Sequence, residues 1–201
     1  MAKLIYKYST MKAGKSLELL KVQDSYTSQG KKVFVATSAI DNRSGVGKVV
    51  SRVGLEQEAY PIINTLEGAM TLYNKVSEQE NLSCVLVDEA QFLSKEVIIM
   101  LTNIVDELGI PVVAYGLKND FRNRLFEGTE YLLIYADKIE EIKSICPYCE
   151  RKATMNARVD SNGVMSTLGD TVKVGGDDEY ISVCRQHYKE MQNKANKGEG
   201  Q

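Results

Sequence analysis

A short segment near the start of the chain has the pattern of a phosphate-binding loop. Residues 9–16 read STMKAGKS, which fits G-x-x-x-x-G-K-[ST] except that Ser9 replaces the first glycine. In such a loop successive backbone N–H groups surround an anion, the lysine reaches the β and γ phosphates, and the last hydroxyl binds Mg²⁺. The alternative is a chance Gly-Lys-Ser at the start of a helix. The predicted nucleotide-binding residues are Ser9, Thr10, Met11, Lys12, Ala13, Gly14, Lys15 and Ser16.

Two adjacent acidic residues, Asp88 and Glu89, follow a short apolar run. Open α/β sheets bind ligands at the carboxyl ends of their strands, so we expect Asp88 to hold the Mg²⁺ of a bound nucleotide. Neighbouring residues of a strand point to opposite faces, and both acids can serve the metal only if the strand has already ended. Glu89 is then available to orient water for ATP hydrolysis or to deprotonate an acceptor hydroxyl. An exposed acidic turn after a core strand is the alternative interpretation.

A third group of residues has the spacing of metal ligands. The pairs are C-x-x-C at 146–149 and C-x-x-H at 184–187, and they include three of the four cysteines and the only histidine. Zn²⁺ prefers thiolate and imidazole, and four protein ligands leave no open position, so this pattern predicts a structural zinc site. A redox C-x-x-C, or thiols unrelated to a lone histidine, are the alternatives. The predicted ligands are Cys146, Cys149, Cys184 and His187, whereas Cys84 lies in a predicted strand and is interpreted as a small buried hydrophobe.

The elements that must position these groups alternate between strand and helix. Apolar and β-branched runs predict strands at 3–9, 32–38, 84–88 and 112–117, and helical spacing predicts helices at 17–29, 66–76 and 97–108. This alternation is typical of an α/β domain with a largely parallel sheet. Residues 41–54 show no periodicity and are predicted to form an irregular loop. Residues 146–187 contain too few apolar side chains for a core of their own, so something other than burial must hold them together.

Composition and charge narrow the possible partners. The chain has 201 residues, with 25 Lys and Arg against 27 Asp and Glu, and its formal net charge is −2. This balance gives no electrostatic reason to bind a polyanion, so we expect no nucleic acid partner. No apolar stretch reaches the ~20 residues that span a bilayer, and the first residues are typical of a strand rather than of a signal segment. We therefore expect a cytoplasmic protein without a membrane contact, in which clustered cysteines are metal ligands or redox groups rather than structural disulfides.

Several motifs occur together and in a fixed order along the chain. They are the phosphate loop, AIDNR at 39–43, VDEAQF at 87–92, YGLKNDF at 115–121, the C-x-x-C pair and GGDDEYISVCRQHY at 175–188. Together they resemble the type II thymidine kinases, the zinc-lasso deoxynucleoside kinases, over nearly the whole chain. Much of that family has Gly where this chain has Ser9, and some members have Cys where this chain has His187.

The resemblance implies an architecture. It is an α/β phosphate-loop fold of the RecA-like type, with a mostly parallel sheet, helices on both faces and a small zinc-bound lasso domain. The implied division is a nucleotide-binding kinase domain at 1–144, the lasso domain at 145–191 and a flexible polar tail at 192–201.

The resemblance also implies an activity, the transfer of the ATP γ-phosphoryl group to the 5′-hydroxyl of thymidine to give dTMP and ADP. Glu89 matches the general base, Lys15 and Ser16 match the phosphate and Mg²⁺ ligands, and Asp88 and Gln91 fall within the ATP site. The implied substrate-binding residues are Asp41, Arg43, Phe92, Leu117, Phe121, Phe126, Gly175, Tyr180 and Ile181. Plain core packing is the alternative for the phenylalanines. Feedback by dTTP and a homotetramer are further implications.

One competing hypothesis comes from a different functional class. A phosphate-loop ATPase whose zinc module binds a nucleic acid or a protein would show the same loop, acids and metal ligands. The two hypotheses differ in the acceptor. A net charge of −2 favours the small acceptor, because a nucleic-acid track needs a basic surface.

Overall fold

The computed structural model describes residues 1–41, 45–166 and 179–197. The strands in these ranges are β1 (Leu4–Ser9), β2 (Lys32–Ser38), β3 (Lys48–Val50), β4 (Glu56–Glu58), β5 (Tyr60–Ile62), β6 (Leu82–Asp88), β7 (Val112–Leu117), β8 (Lys138–Glu141), β9 (Met155–Arg158) and β10 (Tyr180–Val183). The helices are α1 (Lys15–Thr27), α2 (Leu66–Ser77), α3 (Lys95–Leu108), α4 (Glu127–Tyr135) and α5 (Arg185–Lys197), and a 3₁₀ turn covers Ala90–Phe92.

A six-stranded sheet forms the centre of the molecule, in the order β5-β2-β6-β7-β1-β8. Every neighbouring pair of strands in it is parallel. β6 and β7 occupy the middle, and every residue of β7 is buried, which explains why both strands read as continuous apolar runs. The predicted α/β class with a mostly parallel sheet is confirmed.

Helices cover both faces of this sheet. On one face, Leu19 and Leu20 of α1 pack against Leu86 and Val113. On the other, α2, α3 and α4 contribute Leu72, Ile98 and Leu132, which pack in one cluster with Val85 and Val87. Alternate residues of β6 therefore enter opposite cores, as the period of a strand requires.

The segment predicted as an irregular loop contains a strand, so the prediction is wrong for residues 48–50. β3 pairs antiparallel with β4, and Val49 is buried against α1. Val49 and Val50 are β-branched, and burial of the Val49 side chain stabilises the strand. The surrounding glycines and charged residues left no alternating pattern from which this strand could be predicted.

A smaller unit follows β8. β9 and β10 form an antiparallel pair, and α5 packs against β9. Its apolar cluster is small and includes two of the cysteines; the members are Cys146, Ala157, Met165, Val183, Cys184 and Tyr188. Residues 192–197, expected to begin a polar tail, are helical in α5, and 198–201 lie outside the described residues. No helix within the described ranges combines the length and the apolar character that a membrane crossing needs.

Candidate active site

The phosphate loop joins the end of β1 to the start of α1. Gly14 precedes the helix with φ 85°, and Lys12 also adopts the left-handed conformation with φ 62°. These turns bring the loop onto the N-terminus of α1, where backbone N–H groups have no partner within the helix. Ser9 ends β1 with a negative φ, so the backbone does not require glycine there.

Asp88 lies beside the last residue of the phosphate loop. The Ser16 hydroxyl donates a hydrogen bond of 2.7 Å to Asp88 Oδ2, and the Glu89 N–H donates one of 2.9 Å to Asp88 Oδ1. Burial raises the pKa of Asp88, and the charge of Glu89 raises it further, while Ser16 and Lys15 partly offset both effects. The Ser16 hydroxyl and the Asp88 carboxylate supply oxygen ligands, which Mg²⁺ prefers. The residues present therefore fit the expected ion.

Glu89 has left the strand. β6 ends at Asp88, and Glu89 adopts a left-handed conformation with φ 49° immediately before the 3₁₀ turn. Left-handed backbone is uncommon for a residue with a Cβ and is often found at functional sites. Because the strand ends one residue earlier, both carboxylates line the same cavity.

Gln91, which the sequence predicted to lie in the ATP site, lies in the core behind Glu89. Its side chain is 1% exposed and does not line the cavity. Its Nε2 donates a hydrogen bond to Glu89 Oε2, and its Oε1 accepts one of 3.0 Å from the Leu117 N–H. Gln91 therefore contacts the carboxylate of Glu89 from inside the core.

A cavity of about 440 Å³ opens at the carboxyl ends of β1, β2, β6 and β7. The predicted site residues that line it are Met11, Lys12, Gly14, Lys15, Ser16, Asp41, Asp88, Glu89, Phe92, Leu117, Phe121, Phe126 and Tyr180. Ser9, Thr10, Ala13, Gln91 and Ile181 are predicted residues that do not line it. Arg43 and Gly175 lie outside the described residues. Residues of the phosphate loop and the two acidic residues thus share one cleft with four aromatic side chains.

The aromatic end of the cavity is built from two ring pairs. Phe92 and Phe126 meet edge to face with centroids 5.6 Å apart, and Phe121 meets Tyr180 at 6.2 Å. Such apolar walls with a few polar groups are typical of small-molecule sites. Because Tyr180 belongs to β10, the small unit contributes to the wall of the cleft.

Several lining residues were not singled out from the sequence. They are Leu17, Thr37, Ile40, residues 48–53, Asn119, Asp120 and Asn156. Thr37 pairs with Asp88 across β2 and β6, so the rule that ligands bind at the carboxyl ends of strands could have found it. The sequence around Asn156 gives no such signal. Asn156 lies on β9, 145 residues after Met11, and only the tertiary structure brings the two residues into contact.

The predicted metal ligands converge. The four ligand atoms of Cys146, Cys149, Cys184 and His187 all lie within 4.8 Å of one another, and all three cysteines are free thiols. Cys149 Sγ is 3.8 Å from Cys184 Sγ, and His187 Nδ1 is 3.5 Å from Cys146 Sγ and 3.3 Å from Cys184 Sγ. Zn–S bonds of about 2.3 Å and a Zn–N bond of about 2.1 Å in a tetrahedron require separations of about 3.8 and about 3.6 Å. The residues present therefore fit a tetrahedral zinc ion.

Comparison with known proteins assigns the family. A sequence model of the family described as thymidine kinase matches residues 2–188. The chain belongs to the thymidine kinase family. The resemblance drawn from the motifs is therefore confirmed.

Individual relatives in the thymidine kinase family match over almost their whole length. A thymidine kinase from Streptococcus pyogenes serotype M3 is 51% identical, with 94% of this chain and 97% of the relative covered. A thymidine kinase from Lactobacillus acidophilus is 49% identical, with 94% and 96% covered. Among solved structures, the Pif1 helicase from Candida albicans is 16% identical with a TM-score of 0.40. The match covers 72% of this chain and 36% of the helicase chain, and a similarity this low defines neither fold nor function.

Proposed function

We propose that this chain is a thymidine kinase, which transfers the γ-phosphoryl group of ATP to the 5′-hydroxyl of thymidine and gives dTMP and ADP. The observation that carries this proposal is the position of Glu89, whose carboxylate lies in one cavity with the phosphate loop and with an aromatic pocket. A small acceptor bound at the aromatic end can present its hydroxyl between Glu89 and the terminal phosphate. Family membership and relatives named thymidine kinase support the same activity.

The phosphate loop binds ATP. Lys15 reaches the β and γ phosphates, and the N–H groups at the start of α1 bind their oxygens. Ser16 and Asp88, joined by their 2.7 Å hydrogen bond, are the residues that would hold Mg²⁺. That ion would neutralise charge on the phosphates during transfer. Because phosphoryl transfer needs mainly alignment and charge stabilisation, a rigid loop and well-placed acids suffice.

Glu89 is the general base. It accepts the proton of the 5′-hydroxyl as that oxygen attacks the γ-phosphorus and ADP leaves. Its left-handed backbone, one residue beyond the strand, supports this role because it turns the carboxylate into the cavity. Asp88 would then help to hold the Mg²⁺ of the nucleotide, while Glu89 accepts the proton of the acceptor hydroxyl.

The nucleoside binds at the aromatic end of the cavity. Phe92 packs against Phe126 and Phe121 packs against Tyr180, and all four rings line the cavity. Leu117 and Asp41 line the same space. Flat apolar walls suit a pyrimidine ring and exclude water, which favours transfer to the sugar over hydrolysis.

The small unit has a structural metal. We propose that Cys146, Cys149, Cys184 and His187 hold Zn²⁺, on the strength of separations that match a tetrahedron. The metal would supplement the small apolar cluster of this unit, and we retain 1–144 as the kinase domain. Because α5 continues to Lys197, the small unit extends to that residue, and only 198–201 of the expected tail lie beyond it. We also propose a cytoplasmic location, where reducing conditions keep thiols available as metal ligands. Homotetramer formation, dTTP feedback and the lack of a nucleic acid partner complete the proposal.

The purified protein tests this function directly. Incubation with Mg-ATP and a panel of nucleosides should give dTMP from thymidine and should also show whether deoxyuridine is used. A parallel incubation replaces the nucleoside with single-stranded DNA. ATP hydrolysis that DNA stimulates, with no dTMP from thymidine, would favour the ATPase hypothesis and overturn the proposal.

The role of Glu89 has its own test within that assay. Glu89→Gln should lower kcat by about 10²- to 10⁴-fold, because general base catalysis contributes about that factor. Nucleotide affinity should stay within a few-fold, and Glu130→Gln on the exposed side of α4 provides the matched control. Near-normal turnover of Glu89→Gln would refute its assignment as base.

A further inference from the structure

One cross-strand pair of the small unit holds the phosphate loop from two sides. Asn156 on β9 and Ser182 on β10 are direct partners in the antiparallel pairing. The Met11 N–H donates a hydrogen bond of 2.8 Å to Asn156 Oδ1, and the Ser182 hydroxyl donates one of 2.5 Å to the Met11 carbonyl. The two side chains thus bind both backbone groups of one phosphate-loop residue.

Further hydrogen bonds support the phosphate loop and its neighbours, one from the small unit and one within residues 1–144. Asn156 Nδ2 donates to the Asn119 carbonyl at 2.9 Å, so Asn156 contacts two separate loops of the kinase domain at once. Thr10 and Ser144 share a hydrogen bond of 2.8 Å between their hydroxyls. The contacts of Met11 with Asn156 and of Thr10 with Ser144 join residues that are more than a hundred positions apart, and Asn156 is only 1% exposed. The phosphate loop is therefore supported by tertiary contacts as well as by its own turns.

The strand that holds Met11 also forms a wall of the aromatic pocket. Tyr180 and Ser182 are two residues apart on β10, so their side chains lie on one face of the strand. Tyr180 lines the cavity and packs against Phe121. An occupant of the aromatic pocket and the phosphate loop consequently contact neighbouring positions on one short element.

We propose that Asn156 and Ser182 are positioning residues that couple the nucleoside pocket to the phosphate loop, so that thymidine and Mg-ATP bind with positive cooperativity. A nucleoside packed on Tyr180 stabilises β10 in the position described above, where the Ser182 hydroxyl binds the Met11 carbonyl. Each ligand thus favours the same arrangement of β10 and the phosphate loop, and lowers the free energy that the other must supply to hold it. This inference rests on the proposed kinase function, since it assumes that the two ends of the cavity take a nucleoside and a nucleotide.

A matched pair of variants separates this coupling from packing. Ser182→Val removes the hydroxyl but keeps a β-branched side chain, and Ser182→Thr has the same shape with the hydroxyl retained. One neutral hydrogen bond is worth about 1 kcal/mol, so Ser182→Val should weaken Mg-ATP binding by about three- to tenfold. The KM for ATP should rise by that factor with kcat nearly unchanged. Ser182→Thr should behave like the wild type in both measurements.

Calorimetric titration then measures the coupling itself. A non-hydrolysable β,γ-methylene ATP with Mg²⁺ is titrated into the full chain with and without saturating thymidine, and the reciprocal titration must give the same factor. We expect tighter binding of the analogue in the presence of thymidine for the wild type and for Ser182→Thr, and loss of that enhancement for Ser182→Val. An unchanged enhancement in Ser182→Val, equal losses in both variants, or no enhancement in the wild type would overturn the proposal. Failure of the kinase function would appear differently, as a wild-type protein that forms no dTMP.

Discussion

The side-chain amide of Gln91 joins the carboxylate of Glu89 to the backbone of β7. Nε2 donates to Glu89, and Oε1 accepts the Leu117 N–H at 3.0 Å. All of these groups are buried or nearly so. A core residue that does not line the cavity therefore contacts the carboxylate of Glu89. We propose that Gln91 is a positioning residue for that carboxylate.

Gln91→Leu should remove both hydrogen bonds of the side-chain amide, the one to Glu89 and the one from the Leu117 N–H. The Leu117 N–H would lose its acceptor, which costs about 1–3 kcal/mol in the free energy of unfolding. Loss of the orienting contact on Glu89 should lower kcat by about ten- to a hundredfold. The KM for ATP should change little, because the phosphate loop is not touched. Denaturant unfolding and steady-state kinetics measure both effects, with the exposed Gln79→Leu as control; a variant that loses stability but keeps its kcat would contradict the positioning role.

Gly128 on α4 lies against the turn that carries Glu89. A Cβ added at Gly128 would lie 2.2 Å from the Ala90 carbonyl oxygen and 2.8 Å from that of Leu93. Alanine is favoured over glycine in a helix by about 1 kcal/mol, but backbone atoms this close must move, and overpacking costs about 1–3 kcal/mol. We expect Gly128→Ala to lower both the unfolding free energy and kcat.

A substitution at Gly30, where an added methyl group has open space, is the control for Gly128→Ala. A Cβ at Gly30 would meet nothing within 4 Å, although its φ is +73°. Gly30→Ala should therefore cost about 1 kcal/mol through backbone strain alone and leave kcat unchanged. Equal kcat values for Gly128→Ala and the wild type would show that the turn accommodates the extra methyl group without moving Glu89.

Asp88 is expected to reduce the stability of the free protein. Its pKa is raised in the folded state, above all by burial and then by Glu89, so the charged form is disfavoured on folding. Asp88→Asn should raise the unfolding free energy at neutral pH by about 1–3 kcal/mol. Binding of Mg-ATP should weaken in the same variant, because a ligand oxygen with charge is lost.

The pH dependence provides the check on this assignment. For a carboxyl group with a raised folded pKa, the cost is fully present above that pKa and is lost as the pH falls toward the unfolded value. The stability difference between Asp88→Asn and the wild type should therefore be larger at about pH 8 than at about pH 5. A difference that does not vary with pH, followed by denaturant unfolding, would indicate that charge is not the cause.

The metal site predicts a stoichiometry. Elemental analysis should find about one Zn per chain, and Cys146→Ser should lose it, because a structural site needs all four ligands. Thymidine should then bind more weakly, since Tyr180 depends on the fold of the small unit. Cys84→Ala removes the thiol that lies in β6, away from the cluster, and should keep the metal. A folded wild-type protein without zinc would exclude the proposed site.

The sequence alone predicted the features that depend on a few residues close together in the chain. The phosphate loop, the acidic end of β6 and the paired metal ligands are short patterns whose spacing predicts their chemistry, and the apolar runs predicted four of the parallel strands. The hairpin of β3 and β4 was missed, because a three-residue strand leaves too short a pattern among glycines and charges.

The tertiary structure alone decided how the side chains meet. The left-handed turn at Glu89 brings two adjacent carboxylates into one cleft, although strand alternation would have separated them. The contacts of Gln91 with Leu117 and of Asn156 with Met11 join residues far apart in the chain. Local pattern predicts which elements form, but the direction of a side chain at an element's end, and its partner across the fold, depend on how those elements pack.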